Sequence, residues 1–509
     1  MTKATSLSSV KKLAGQTLWY GLPTIGSRFL GYFLNFSLTF LYQAADTADL
    51  TQIYAIVPFL NILFTYGMET GYFRFVQQTE QQKLFNTLSV SMVMTTALLT
   101  AAMYFAIPWL AGATMMEAHP EYFVWLCGIV AFDTLATLPL AKLRQEGRPV
   151  KFAFVRVSGI VLNVLIVVYY VGVCPKLAQT DPQSIWLIGY DKSIGIGYYL
   201  IGNLAGSVLT WLLLLTEWKG FRFEFDRALW AQVLRYSAPL LIVGFGGMIN
   251  EMLSRLVYQQ VVDMPAAEAK RQLGIFAANY RLAVLITIFI QMFRMAAEPF
   301  YFNQSKDKEG RRTYARVMKY FVIACCFMFL GIGLFRDVLQ AILSIRFAEY
   351  GEGIHIVPIL AMGSIFLGIY YNLSIWYKLT NRNGVGAMIT ILGALITLGL
   401  NIWWIPLFGY TGSAWATFTC YAFMMVVSYW LGQKKFRVPY AKKKMIAYLV
   451  IITLIYLLHR GLVGLYEPLW FSITSGMVLY LLFFGFMVIV ERRAFAGLPV
   501  VGRFFSAAP

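Results

Sequence analysis

Charged residues are scarce in this 509-residue sequence: they make up 13% of it, where soluble domains carry about a quarter. Histidine occurs three times and cysteine five times, without the spacing of a zinc site or a disulfide framework. No phosphate-binding loop or nucleophile-elbow motif is present. Hydrophobic residues account for 59% and mean hydropathy is +0.64. This composition excludes an ordinary soluble domain and predicts a polytopic membrane protein.

Long apolar runs follow one another along the whole chain, and each is long enough to cross a bilayer, which takes about 20 residues. We therefore predict an all-α membrane protein with about 14 transmembrane helices. The runs lie at 13–41, 51–78, 84–110, 121–141, 150–173, 195–216, 231–262, 274–302, 314–335, 353–377, 384–403, 411–432, 445–458 and 468–490.

Lysine and arginine are distributed unevenly between the two sets of connections. Of the 42, the connections assigned to the cytoplasmic side hold 29, the other set holds seven, and six lie inside apolar runs. Such a bias predicts a multi-pass protein of the cell (inner) membrane with both termini in the cytoplasm. The net charge of +18 is then explained by topology and anionic lipid headgroups, and no nucleic-acid partner is expected.

An internal repeat is visible at the start of each half. LWYGLPTIGSRFLGYFLNFSLTFLY (18–42) aligns without gaps on LRYSAPLLIVGFGGMINEMLSRLVY (234–258), and IYA (53–55) corresponds to IFA (275–277). We predict two six-helix lobes in a pseudo-twofold arrangement, at 1–228 and 229–436. Parallel repeats of this kind are typical of transporters with a substrate site between the halves. Residues 437–509 are predicted to form a two-helix hairpin and a cytoplasmic tail; the hairpin lines a groove for a lipid tail or serves structure and assembly.

All six basic residues inside the runs are arginine, which can bind phosphate through two parallel hydrogen bonds. Arg28 lies near the predicted midplane, and together with Arg255, Arg281 and Arg294 it predicts a ladder of positive charge suited to a moving anion. Intrahelical ion pairs are the alternative for Arg255 with Glu251 and for Arg294 with Glu298, which are four residues apart. For Arg28 the alternative is a structural ion pair with an acid from another helix, such as Asp133 or Glu69. The remaining two arginines, Arg156 and Arg235, are expected to snorkel to the cytoplasmic interface.

Four acidic residues inside the runs are candidates for coupling or gating, because ionisable groups at this depth are costly and face a cavity. Asp133 suits coupling to H⁺ or Na⁺; a structural buried aspartate is the alternative. Glu69 is a candidate to gate, to pair with a cavity arginine or to bind a proton. The full set is Glu69, Asp133, Glu251 and Glu298. No other cofactor, metal site or catalytic residue is predicted.

The chain resembles the MOP exporter superfamily, and within it the Wzx-type flippases of O-antigen and capsular repeat units. The matching stretches are YGMETGYFRF (66–75), LRQEGRPVKF (143–152) and GIFAANYRL (274–282). Ser27-Arg28 followed by Leu30-Gly31 is also similar to the SRxLG motif of lipid II flippases. The resemblance to those flippases implies that Arg28 lines the cavity and binds pyrophosphate. Leu34-Asn35 stands where they have an arginine–aspartate pair, and the drug-exporting branch usually has an acid in this span.

The resemblance implies a MATE-like fold and a flippase that carries a polyprenyl-pyrophosphate-linked oligosaccharide to the outer leaflet by alternating access. Membrane lipids and other polysaccharide-assembly proteins are the expected partners. Lipid II flipping and cation-coupled drug export are the alternatives within the superfamily. A membrane polymerase or glycosyltransferase is a further one, although the only paired acids of the first outer loop are Asp46 and Asp49.

Overall fold

The computed structural model describes Gly26 and residues 30–304, 310–380 and 382–492, and every regular element in these ranges is helical. Thirteen helices there are long and apolar enough to span a membrane. Helix α1, Leu30–Leu41, is the described part of the first predicted run. The all-α polytopic prediction is confirmed, and the reason is physical: in lipid a helix satisfies its own backbone hydrogen bonds.

The helices are numbered in chain order. Through α10 they are α2 Ala44–Thr65, α3 Met68–Phe75, α4 Gln81–Phe105, α5 Ile107–Ala113, α6 Glu121–Gln145, α7 Pro149–Val167, α8 Cys174–Thr180, α9 Tyr198–Leu214 and α10 Arg227–Val261. The others are α11 Ala266–Gln304, α12 Gly310–Leu334, α13 Arg336–Leu343, α14 Val357–Leu373, α15 Ile375–Leu379, α16 Asn383–Phe408, α17 Tyr410–Lys435, α18 Lys442–Leu465 and α19 Leu469–Val490. A π-helix, Val168–Val173, and short 3-10 turns complete them.

The helices depart from the predicted runs at several places, and two of these have a clear physical reason. The run at 51–78 is broken where Tyr66 and Gly67 have positive φ angles of 30° and 75°, which ends α2 and starts α3. Helix α11 begins at Ala266, eight residues before the predicted run at 274–302. Its first turns are charged but rich in helix-forming Ala, Glu, Lys, Arg and Gln, so hydropathy overlooks them whereas helix propensity does not.

Packing divides the chain into two compact units. Unit 1 comprises the residues up to Ala277 together with Ala387–Ala416; unit 2 comprises Ala278–Gly386 and the residues from Thr417 onward. The two lobes at 1–228 and 229–436 stay a prediction drawn from the sequence repeat.

Within unit 1, α2 and the first turns of α11 approach unusually closely. A Cβ atom added to Gly274 would lie 1.8 Å from the carbonyl oxygen of Ala44, so only glycine fits. One turn earlier on α11, Lys270 Nζ lies 2.7 Å from Asp49 Oδ1. Both of these side chains are mostly buried. The backbone contact and the ion pair together hold the N-terminal ends of the two helices side by side.

Within unit 2, polar clusters attach the C-terminal helices α18 and α19 to α12 and α13. At one end, Glu491 accepts hydrogen bonds from Lys319, from Lys444 at 3.3 Å and from Tyr448 at 2.6 Å. At the other end, Asp337 accepts hydrogen bonds from the Arg460 guanidinium, at 2.9 and 3.0 Å, and from the Ser472 hydroxyl, at 2.6 Å. Each carboxylate therefore fastens one end of the predicted hairpin.

Candidate functional site

A polar cavity in unit 1 opens between α3, α6 and α7. It is lined by Glu69, Thr137, Leu140, Arg144, Phe152, Arg156 and Ile160. Glu69, in the first turn of α3, pairs with Arg144 in the last turn of α6. The Arg144 guanidinium also lies over the rings of Phe73 and Phe152, at 5.0 and 5.8 Å from their centroids. Arg144 is thus held by one carboxylate and two aromatic faces at the cavity wall.

Asp133 lies about three turns before the end of α6, deep in the span. Ser207 on α9 and Arg156 on α7 lie near its carboxyl, and Arg156 is close enough to attract the carboxylate without forming a direct ion pair with it. Arg156 is exposed and is part of the cavity lining, and its snorkelling to the interface stays a prediction. An acid and an arginine that lie near each other in a membrane protein lower the cost of placing either charge there.

Close packing of α7 on α9 positions these side chains. A Cβ at Gly159 would lie 2.8 Å from the Gly206 carbonyl oxygen, and one at Gly206 would lie 2.5 Å from that of Gly159. Gly202 and Gly206 form a GxxxG pattern, which is typical of membrane helices whose backbones touch. Arg156 and Ser207 lie within one turn of this contact, so it sets the distance across which they face Asp133.

Unit 2 contains a second pocket, between α11, α14 and α15. Its lining includes Phe293, Arg294, Tyr301, Tyr371, Asn372 and Lys378. The exposed Arg294 guanidinium stacks over the Tyr371 ring at 4.6 Å from its centroid, and Lys378 contributes a second cation. The pocket itself, at about 20 Å³, has room for about one water molecule, so Arg294, Lys378 and the Tyr371 ring can meet a phosphorylated ligand only at its mouth.

Neutral hydrogen bonds fix the wall of this pocket. The Tyr301 hydroxyl donates to Asn372 Oδ1 at 2.6 Å, and Asn372 Nδ2 donates to the Gly368 carbonyl at 3.1 Å. The Tyr314 hydroxyl in turn donates to the Tyr301 carbonyl at 2.8 Å. These hydrogen bonds engage the polar atoms of Tyr301 and Asn372 and hold the wall in shape.

The other predicted residues lie elsewhere. Arg28 is outside the described residues, as is the side chain of Glu298. Arg281 is half-buried on α11 in unit 2, whereas Glu251 and Arg255 lie on α10 in unit 1. Arg255 Nη1 lies 2.9 Å from the Met252 sulfur. The charge ladder through Arg28, Arg255, Arg281 and Arg294 stays a prediction.

Four residues of the two pockets were not expected there: Arg144, Arg156, Tyr371 and Lys378. Arg144 and Lys378 were counted with the cytoplasmic loops, because each is at a helix end. The GxxxG pattern at 202–206 could have predicted that α9 packs closely on a neighbouring helix. The neighbour is α7, which carries Arg156. Tyr371 had no distinguishing signal, since tyrosine occurs 31 times in the chain.

Comparisons with known proteins agree with this architecture. A family model described as polysaccharide biosynthesis protein matches residues 13–303. The structure of the lipid II flippase MurJ in an inward closed conformation matches with a TM-score of 0.70 and 14% identity, covering 93% of this chain and 99% of that one. An inward-facing multidrug resistance MATE family transporter of the MOP superfamily matches with a TM-score of 0.57 and 15% identity, covering 85% and 95%.

Two further structures are similar. The Vibrio cholerae MATE transporter VcmN, as a D35N mutant, matches with a TM-score of 0.56 and 15% identity, covering 85% of this chain and 98% of that one. A MOP superfamily transporter from Pyrococcus furiosus matches with a TM-score of 0.55 and 14% identity, covering 82% and 95%. At these identities the likeness shows the fold, which is MATE-like as predicted.

Proposed function

The chain belongs to the polysaccharide biosynthesis protein family of MOP-superfamily transporters, and from this premise we propose that it flips a polyprenyl-pyrophosphate-linked oligosaccharide. The substrate moves from the cytoplasmic to the outer leaflet by alternating access. The protein is a membrane transporter and not an enzyme, so the glycan leaves chemically unchanged.

The observation that carries the proposal is the pocket of unit 2. Arg294 and Lys378 lie in its lining, and the exposed guanidinium of Arg294 stacks on the ring of Tyr371. Pyrophosphate is the part common to all such lipid-linked oligosaccharides that carries a fixed negative charge, and it is the group that basic residues would bind. Arginine suits it through its planar fork of donors. Arg28, placed near the midplane by the sequence, would receive the same group further along the path.

The membrane potential supplies a driving force without ATP. Moving an anion outward across an inside-negative membrane releases about 2.3 kcal/mol per charge per 100 mV. Coupling to H⁺ or Na⁺ at Asp133 adds to this, because protonation or cation binding there would weaken the electrostatic attraction between Asp133 and Arg156. Glu69 would act as a gate through its pair with Arg144.

Arg294→Ala in proteoliposomes tests the proposal. The substrate is a fluorescent polyprenyl-diphosphate oligosaccharide, and flipping is measured as its accessibility to a membrane-impermeant glycosidase. Loss of a charge-assisted hydrogen bond costs about 1.5–3 kcal/mol, so we expect a decrease in rate of about tenfold or more. Arg294→Lys should restore the rate only in part, because an ammonium lacks the fork.

Arg311→Ala is the matched control. Arg311 is exposed and stacks on Phe436 at 4.6 Å, the same geometry as Arg294 on Tyr371, but it lies outside the pocket lining. It should flip at the wild-type rate. Equal rates for the two alanine variants would contradict the role of Arg294. Transport of a cationic drug but not of the lipid would contradict flipping itself, and a preference for lipid II would change the substrate assignment.

A further inference from the structure

The turn at 181–191 presents large apolar side chains to its surroundings. It joins the candidate spans Pro149–Thr180 and Lys192–Trp218. Ile185, Trp186 and Ile188 on this turn are 74%, 68% and 73% exposed. Three such side chains within four residues indicate a surface made for contact with something apolar.

The depth of this turn follows from the helix before it. Tyr169 lies in the π-helix that continues α7, twenty residues after Pro149, which is roughly 30 Å along a helix and matches the thickness of the hydrocarbon core. The chain continues beyond this level through α8, and the turn at 181–191 then brings it back toward the π-helix. The Tyr169 hydroxyl donates to the Trp186 carbonyl, and the Tyr170 hydroxyl donates to the Ile188 carbonyl at 3.2 Å. Trp186 and Ile188 are thereby returned to the level of the membrane boundary.

A third tyrosine completes the support. The Tyr198 hydroxyl donates to the Gly189 carbonyl at 3.1 Å and accepts the Asp191 backbone N–H at 2.6 Å. The Tyr198 ring stacks on Tyr170 with a centroid distance of 4.7 Å. Irregular backbone in a water-poor region must have its polar groups satisfied by the protein. The three tyrosine hydroxyls bind backbone carbonyl and N–H groups of the turn, while its apolar side chains stay exposed.

The surface beside the turn is apolar as well. A shallow groove runs along the end of α7 and the π-helix, where Leu165, Val168 and Val173 are 60%, 53% and 46% exposed. This groove belongs to a candidate span, so we expect lipid acyl chains to cover it. The turn extends the same apolar surface outward and shares its two tyrosines, Tyr169 and Tyr170, with the groove.

We propose that the turn carrying Ile185, Trp186 and Ile188 is an interfacial anchor that inserts into the outer leaflet in the predicted orientation. Its partner is the lipid at the boundary between headgroups and acyl chains, the zone that tryptophan and tyrosine favour. The anchor fixes the depth of the outer ends of α7 and α9. Continuity with a lipid-covered span favours lipid over a protein partner. The proposal does not depend on which substrate the protein carries.

Depth-dependent fluorescence quenching on the full-length protein in nanodiscs tests this. The described native cysteines are buried, so a cysteine introduced as Ile185→Cys or Ile188→Cys can be labelled with an environment-sensitive NBD dye. Asp181→Cys, exposed on the same loop, is the matched control. The quenchers are lipids with a doxyl group near the top of the acyl chain, and aqueous iodide. We expect doxyl lipids to quench positions 185 and 188 several-fold more strongly than position 181, and iodide to show the reverse order.

Tyr170→Phe gives a second reading, because it keeps the ring and removes the hydroxyl that holds the Ile188 carbonyl. It should shift the label at position 188 toward iodide and away from the doxyl lipid. Equal quenching at positions 181, 185 and 188 would place the turn in water and overturn the proposal. Protection from both quenchers at positions 185 and 188 would overturn it too, because a protein surface would then cover the turn.

Discussion

Replacing Gly274 by alanine should destabilise unit 1, although the change adds only a methyl group. The new Cβ would lie 1.8, 2.5 and 2.9 Å from the O, C and Cα atoms of Ala44. All three are backbone atoms, so no side chain can turn aside and the helices α2 and α11 must separate. Overpacking lowers the free energy of unfolding by about 1–3 kcal/mol, and we expect about 3 kcal/mol here because the contact is between backbone atoms. Alanine has a higher helix propensity than glycine, which stabilises the helix by about 1 kcal/mol, so the net decrease in the free energy of unfolding is about 2 kcal/mol.

Thermal unfolding in detergent measures this effect, and Gly247→Ala is the matched control. Gly247 lies inside α10, where an added Cβ meets no atom within 4 Å, so the same substitution should stabilise by about 1 kcal/mol. The free energies of unfolding of the two variants should therefore differ by about 3 kcal/mol, because one variant loses about 2 kcal/mol and the other gains about 1 kcal/mol. Separation of α2 from α11 should also lengthen the Asp49–Lys270 pair. If Gly274→Ala unfolds at the same temperature as Gly247→Ala, the close contact of α2 with α11 is wrong.

Three other changes test the charged groups. Arg28→Ala should abolish flipping and Arg28→Lys restore it poorly, at wild-type expression; normal transport by the lysine variant would show that charge alone suffices. Asp133→Asn should remove dependence on an ion gradient while the protein still inserts, and unchanged dependence would leave Asp133 a structural residue. Burial alone would raise the pKa of Glu491, but hydrogen bonds from Lys319 and Tyr448 outweigh burial and lower this pKa. The ionised Glu491 therefore stabilises the fold fully above its ordinary pKa of 4.5, and this stabilisation is lost as the pH falls through the lowered pKa. Glu491→Gln should lose about 3 kcal/mol at neutral pH and unfold with less dependence on acid pH, whereas Lys444→Met, at an exposed partner, should lose less than about 1 kcal/mol.

The membrane helices could be predicted because lipid imposes one rule on every span: an apolar run must form its own hydrogen bonds. The rule says little where a helix leaves the hydrocarbon, which is why the charged start of α11 at Ala266 was taken as a loop. It also does not detect a break such as Tyr66–Gly67, because both flanks are apolar.

The site was harder to predict for a different reason. Glu69 and Arg144 are 75 residues apart, and their pairing depends on how α3 packs against α6. A charge count assigns each residue to a side of the membrane and cannot choose its partner. Asp133 was recognised as a candidate because an acid in a span is conspicuous, but Ser207 and Arg156 come from two other helices.

The attachment of the C-terminal hairpin at both ends has a mechanical consequence. A helix pair fastened at a single end can tilt or slide on its neighbours, whereas one held by Asp337 and by Glu491 has neither freedom. We therefore expect helices α18 and α19 to move together with α12 and α13. A displacement of α12 during transport would then move α18 and α19 through the surrounding lipid, and the bilayer would resist that displacement.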